Sequence, residues 1–332
     1  MRLTIRGMAL GALLALVSGM AIPTTQAKPL VVATTGMVGD TVDRLGGSCI
    51  ETRTLMGPGV DPHLYQASAS DSRALQQAAL IAYNGFGLEG QLDRVLARLG
   101  ERRPTLALAE AAGTAAGAEA TQAGGDGNAV DPHLWMDPAL WAAALEPTAD
   151  ALVTLAPDCS RAIRQRAERF RQALEALDGW VADNLATIPP AQRVLLTAHD
   201  AFGYFGSAYG IEVRGIQGIS TSAEASVADI RATADLIAER GIPAIFVETT
   251  INPRTVEAVV QAARQRSAEV EVGGSLHGDA LGEPGTLADS LIGMHIHNTA
   301  EIVTALGGEL MSLPARLAAW RGPLERWREA AG

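Results

Sequence analysis

The sequence predicts an α/β protein of two lobes, each with a mostly parallel four-stranded sheet flanked by helices, joined by one long rigid helix. Three observations carry that expectation. Short apolar, β-branched runs alternate with helical patterns in the first half of the chain, the same alternation returns in the second half, and a single uninterrupted amphipathic stretch lies between them. The implied boundaries are a leader over 1–27, a first lobe over 28–156, a linking helix over 157–187 and a second lobe over 188–332.

In the first lobe the strand-like runs are Leu30–Thr35, Ile50–Met56, Leu80–Tyr83 and Thr105–Leu108, each bounded by turn residues. Helical patterns separate them at Val38–Leu45, Ser70–Ala79 and Gly90–Leu99. The segment Ala111–Ala129 is rich in Ala and Gly, has no periodicity and contains no histidine, so it reads as a flexible surface loop. From Pro157 to Thr187 the apolar residues Ile163, Ala167, Phe170, Leu174, Leu177, Val181 and Leu185 recur in steps of three and four, the mark of one helix with a single apolar stripe. Such a helix is on the order of 45 Å long, and as the connection between lobes it implies limited hinge motion. The second set of strand-like runs is Arg193–Thr197, Ile211–Ile216, Ala244–Glu248 and Glu269–Gly273, with helical patterns at Val227–Glu239, Arg254–Arg266 and Leu287–Leu306.

Composition narrows the function. The 332 residues carry 26 Lys and Arg against 37 Asp and Glu, and this acidic balance argues against nucleic acid as a partner, because phosphate binding needs a basic face. The apolar run Met8–Ile22 follows Arg2 and Arg6 and stops at Pro23, too short to span a bilayer. It reads as a signal peptide, with Thr25-Gln26-Ala27 supplying the small residues for cleavage after Ala27. The first cysteine is Cys49, so no lipid-attachment cysteine stands at the cut, and a soluble periplasmic product is expected. Cys49 and Cys159 either pair in that oxidising compartment or sit apart as small buried hydrophobes.

Four residues stand out chemically. Asp61-Pro62-His63-Leu64 and Asp131-Pro132-His133-Leu134 repeat one phrase, in which the proline fixes the backbone immediately before an imidazole. His199 closes the strand Val194–Thr197, at the carboxyl end where open α/β sheets place ligands. Asp279 lies in the loop after the last strand. If the lobes face each other, two histidines come from one side and a histidine and a carboxylate from the other. Three neutral imidazoles and one carboxylate suit a borderline divalent cation such as Zn²⁺ or Mn²⁺, with a mild lean to zinc. His295 and His297 fall in a helical run and are expected to pack or cap. His277 is a candidate for an outer supporting role; Glu248 and Arg254 are further candidates, Glu248 being read as half of a buried ion pair with a cation rather than as a ligand.

With these residues assembled, the chain resembles the metal-binding solute-binding proteins of bacterial ABC transporters for manganese and zinc, the cluster A-I or TroA-like family. The resemblance runs through Val31-Val32-Ala33-Thr34-Thr35-Gly36-Met37, Gly57-Pro58-Gly59-Val60-Asp61-Pro62-His63, Asp131-Pro132-His133-Leu134-Trp135-Met136-Asp137, Thr197-Ala198-His199-Asp200-Ala201-Phe202, Gly215-Ile216-Gln217-Gly218-Ile219-Ser220-Thr221 and Val247-Glu248-Thr249-Thr250-Ile251-Asn252-Pro253-Arg254. It implies the four metal ligands His63, His133, His199 and Asp279, no catalytic residues, and a single divalent ion (Zn²⁺ or Mn²⁺, with Fe²⁺ a further candidate) carried as cargo by a monomer to an ABC permease in the inner membrane. Relatives often have Glu at the third position or a His-rich loop; this chain has His199 and no such loop. Where relatives commonly show Tyr-Ser-Asp, it has His277-Gly278-Asp279.

Two other functions compete with capture and delivery. A metal-dependent hydrolase needs an open coordination position and a general base, and no His-Glu-x-x-His or comparable signature is present. A surface adhesin, a label some relatives carry, fits poorly with an exported product lacking a lipid anchor.

Overall fold

The computed structural model describes residues 27–116 and 130–331. The expected leader lies outside these residues except for Ala27, as do 117–129 of the Ala/Gly-rich stretch. Its first part, however, is no loop: Leu108–Ala116 is helical, since alanine's high helix propensity carries the helix on although the sequence shows no clear apolar period.

The first lobe runs β1 (Leu30–Ala33), α1 (Gly36–Gly46), β2 (Glu51–Thr54), α2 (Ala69–Gln77), β3 (Leu80–Tyr83), α3 (Asp93–Gly100), β4 (Thr105–Ala107), α4 (Leu108–Ala116), α5 (Pro138–Ala142) and α6 (Leu145–Leu155). Its four strands form one parallel sheet in the order β2-β1-β3-β4. Local chemistry sets the helix starts. Thr35 caps α1 by accepting the Val38 N–H, and Ser68 with Asp71 forms a reciprocal capping box on α2.

Helix α7 (Ser160–Leu185) follows, 26 residues and about 39 Å long. All seven residues of its predicted stripe are buried, joined by Trp180 and Asn184. One short 3₁₀ turn, Pro157–Cys159, takes up the rest of the predicted start.

The second lobe contains β5 (Val194–His199), α8 (Gly203–Tyr209), β6 (Glu212–Gln217), α9 (Val227–Arg240), β7 (Ala244–Glu248), α10 (Arg254–Arg264), β8 (Glu271–Leu276), α11 (Leu291–Ala305) and α12 (Arg321–Ala331). Here the expected four-stranded sheet is split. β5 pairs with β6 and β7 with β8, all parallel, while β5 and β7 lie side by side without a backbone ladder. At their carboxyl ends a side chain stands where a strand-to-strand bond would be: the His199 N–H donates to Glu248 Oε1 at 2.8 Å. The last strand is also displaced from the predicted Glu269–Gly273. Gly273-Gly274 reads as a terminator, yet it forms a bulge opposite Phe246, with Gly274 at φ 139°, and the strand continues to Leu276. That extension delivers the loop carrying Asp279.

One hydrophobic cluster runs through both lobes, linking Val31, Leu45 and Trp141 of the first with Leu195, Phe246 and Leu291 of the second through the buried face of α7. One smaller cluster lies under the outer helices of each lobe. A shared core of this kind opposes wide opening of the lobes, because separating them exposes apolar surface at about 25 cal/mol per Å².

Cys49 and Cys159 form a disulfide with Cα atoms 6.2 Å apart, closing a sequence separation of 110 residues. It ties the turn after α1 to the start of α7, and the two alternatives left open by the sequence resolve to the pair. Replacing both cysteines by serine is expected to lower the unfolding free energy by roughly 2–5 kcal/mol in denaturant titrations; equal midpoints for the two proteins, or a mass that does not shift on reduction, would count against the bond.

Candidate metal centre

The four predicted residues reach one point, three of them from the carboxyl ends of strands and His133 from the segment after α4. His63 lies in the loop between β2 and α2, His133 just before the 3₁₀ turn Leu134–Met136, His199 is the last residue of β5, and Asp279 follows β8. In a parallel sheet these loops sit at one edge, and the facing lobes bring the edges together. One ligand atom from each residue lies within 4.8 Å of all the others.

Distances within the cluster define its geometry. The Nε2 atoms of His63, His133 and His199 stand 3.4, 3.2 and 3.1 Å from the Asp279 carboxylate oxygens. A tetrahedron with bonds of about 2.0–2.1 Å has edges of about 3.3 Å, the size of these three separations, of which one runs to Oδ1 and two to Oδ2. Burial strengthens the case. His133 and His199 are 0% exposed, Asp279 2% and His63 7%, and all three Nε2 atoms and both Asp279 oxygens lack a hydrogen-bond partner. Buried polar atoms are normally satisfied, and five orphans converging on one point fit a cation in the middle.

Carboxylates behind the imidazoles decide which nitrogen faces inward. Asp131 Oδ1 accepts the His133 backbone N–H at 3.0 Å and lies 2.7 Å from Nδ1 of the same residue. Glu248 Oε2 lies 2.7 Å from His199 Nδ1. A proton held on Nδ1 of His133 by Asp131 leaves its Nε2 lone pair toward the centre. Glu248 is buried as expected, but its partner is this imidazole; Arg254 is exposed and its own N–H goes to Asn252.

The electrostatics follow from crowding. Burial disfavours charge on His133 and His199, but the carboxylates outweigh it. Asp279 and Asp131 push His133 up to about 9, and Glu248 and Asp279 hold His199 well above its ordinary value. Burial would raise Asp279, yet His199 and His133 keep it well below the usual carboxylate range.

Gly278 explains the departure at His277-Gly278-Asp279. A Cβ there would crowd Glu248 Oε2 and stand 3.3 Å from His199 Cε1, so with glycine the loop closes over this pair without moving the Glu248 carboxylate. The Trp135 indole N–H donates to the Gly278 carbonyl at 3.0 Å, clamping the Asp279 loop to the His133 loop across the lobes. His295 and His297 pack as expected, bonding the carbonyls of Trp135 and Ser275. His277 lies apart from the cluster; its backbone N–H and C=O are both bound by the Asn298 side chain, and its ring stacks edge-on to His297.

Sequence reasoning missed two carboxylates. Asp131 could have been found as the acid two residues before a histidine, across a proline that turns the chain back. Glu89 carries no motif of its own. It is fully buried, accepts the Thr34 hydroxyl and the Asn84 and Gly85 N–H groups, and Asn84 in turn donates to the carbonyl of Pro132 beside His133. Burial pushes Glu89 up to about 7 despite those donors.

Known proteins resemble the chain in sequence and in fold. The chain is 42% identical over 279 residues to the zinc-binding protein TroA of Treponema pallidum, covering 84% of this chain and 89% of that protein. It is 39% identical over 276 residues to the manganese-binding lipoprotein MntA of Bacillus subtilis (strain 168), covering 83% and 89%. The crystallised periplasmic zinc-binding protein TroA superposes with a TM-score of 0.80 at 41% identity, over 84% of this chain and 99% of that one. An Fe(III)-bound YtgA from Chlamydia trachomatis superposes with a TM-score of 0.77 at 25% identity, over 86% and 100%. Residues 31–305 match the family profile described as zinc-uptake complex component A, periplasmic, and over that span the chain belongs to the ZnuA family of metal solute-binding proteins.

Proposed function

We propose that this protein is the periplasmic substrate-binding component of an ABC importer. It captures one divalent transition metal ion, Zn²⁺ or Mn²⁺ with Fe²⁺ as a third candidate, and delivers it to the inner-membrane permease. The ion sits between a first lobe spanning 28–156 and a second spanning 188–332, joined by 157–187, and its ligands are His63, His133, His199 and Asp279. The mature chain starts after Ala27, carries no lipid anchor, acts as a monomer and binds no nucleic acid. The single observation behind this reading is the set of buried, unpartnered ligand atoms spaced for one central ion. Four protein donors close the shell, and a closed shell holds no position for a reactive water, so the reading is capture rather than hydrolysis.

Calorimetric titration of Zn²⁺ and Mn²⁺ into purified metal-free protein tests it. Asp279→Ala is expected to weaken binding by roughly a hundredfold or more while the circular dichroism of the metal-free protein is retained. Stoichiometric binding of undiminished affinity by this variant would remove Asp279 from the shell.

Acidity gives a second test. Binding requires bare Nε2 atoms, and His133 is pushed up to about 9 without metal. Metal uptake at pH 7 therefore expels protons, visible as a buffer-dependent binding enthalpy, and affinity falls as the pH drops from 9 to 5. An affinity flat across that range would rule out the imidazole shell.

The metal-free protein has its own profile. The raised His133 contributes stability that is complete below 6.5 and lost as the pH rises through about 9, whereas the depressed Asp279 contributes stability above 3.8 that is lost on acidification. Its thermal midpoint is thus expected to fall between pH 6.5 and 9 while the gain on adding Zn²⁺ grows. A gain that shrinks over this interval would contradict the assignment.

A further inference from the structure

The two Asp-Pro-His phrases look alike in sequence and are tethered differently. Asp131 turns its carboxylate onto its own histidine, and the loop it belongs to is held to the second lobe by three bonds: Tyr204 hydroxyl to the Asp131 carbonyl at 3.0 Å, Trp135 indole to the Gly278 carbonyl at 3.0 Å, and His295 to the Trp135 carbonyl at 2.8 Å. Asp61 uses one oxygen to accept the His63 N–H at 2.9 Å. Its other oxygen leaves the loop and accepts the Thr221 hydroxyl of the second lobe at 2.6 Å. Among the described residues, this is the only hydrogen bond from the His63 loop, residues 57–67, to the second lobe.

His63 is also the least secured of the four ligands. No carboxylate or carbonyl holds its Nδ1 among the described residues, while Asp131 and Glu248 stand behind the other two imidazoles. It is the most exposed of the set. Beside it a cavity of about 320 Å³ opens to the surface, lined by Asp61, Leu64, Gln217, Thr221, Thr250 and Arg254. Leu64, immediately after His63, is 52% exposed.

Resting on the metal-capture reading above, we propose that Thr221 is a positioning residue whose hydroxyl latches Asp61, and through it His63, so that breaking this one bond opens the route by which the ion enters and leaves. The ion exits past His63 into the cavity. His133, His199 and Asp279 stay in place as the fixed part of the shell.

The test uses the mature, disulfide-bonded protein loaded with Zn²⁺ or Co²⁺ and challenged with excess EDTA in stopped flow. Thr221→Val and Thr221→Ala are both expected to release either ion about tenfold faster or more, the weight of a hydrogen bond to a charged group. The Co²⁺ absorption bands, which report the shell itself, are expected to stay unchanged. Thr221→Ser, which keeps the hydroxyl, and Ser222→Ala, which removes an exposed hydroxyl bonded to Ser220 and not to Asp61, are expected to release at the unaltered rate. Unaltered release by the Val and Ala variants overturns the latch while leaving metal capture standing, and so does a shifted Co²⁺ spectrum, which would mean the hydroxyl shapes the shell. A parent protein that takes up neither ion overturns the capture reading and the latch together.

Discussion

Everything at the centre of this molecule follows from burying the Asp279 carboxylate where water cannot reach it. An isolated ionised carboxylate is prohibitively costly in such a place, and the fold answers by surrounding it with three imidazoles rather than with lysine or arginine. Imidazole is the one common cationic partner that can surrender its proton near neutral pH. On the proposed reading, the same four side chains exchange neutralisation by protons for neutralisation by a metal ion. A guanidinium in place of any of these rings would stabilise the carboxylate permanently and close the site to metal.

That exchange requires the rings to stay in place when the proton leaves, and the outer carboxylates serve this purpose. Asp131 and Glu248 sit 2.7 Å from Nδ1 of His133 and His199, so each ring keeps its orientation whichever cation occupies the centre. Glu248 does a second task, taking the His199 backbone N–H at the split between β5 and β7. The irregularity of the second sheet is thus part of the site. A continuous ladder between these strands would leave no room for a carboxylate behind His199.

Much of this was legible in the sequence because it rests on local rules. The β/α alternation, the α7 stripe at Ile163 through Leu185 and the Asp-Pro-His phrases each announce themselves within a few residues, and together with His199 and Asp279 they name the cluster. What escaped depends on partners distant in the chain. The strand through Gly273-Gly274 continues because Phe246 and Ala305 crowd a position that tolerates no Cβ, and the sequence around the glycines does not contain that information. Ala111–Ala116 misleads in the opposite sense: alanine makes a helix without declaring an apolar face. Glu89 and Asn84 brace the His133 loop from 44 or more residues away, with nothing in their own neighbourhood to mark them.

Identity of the ion is a question of geometry more than of donor type. Three imidazoles and a carboxylate lean toward zinc, yet the relatives at comparable identity carry zinc in one name and manganese in another. The feature that bears on this is the second oxygen of Asp279. Oδ1 faces His133 while Oδ2 faces His63 and His199, and both are unpartnered. Bound through one oxygen, the carboxylate completes a tetrahedron suited to Zn²⁺; bound through both, it raises the coordination number and the share of oxygen, which suits Mn²⁺. The three His-to-Asp separations, 3.1 to 3.4 Å, are divided between the two oxygens, so both face the cluster. What separates the two is a rotation of one carboxylate about its own bond, held in check by the Trp135 clamp on the Gly278 carbonyl beside it.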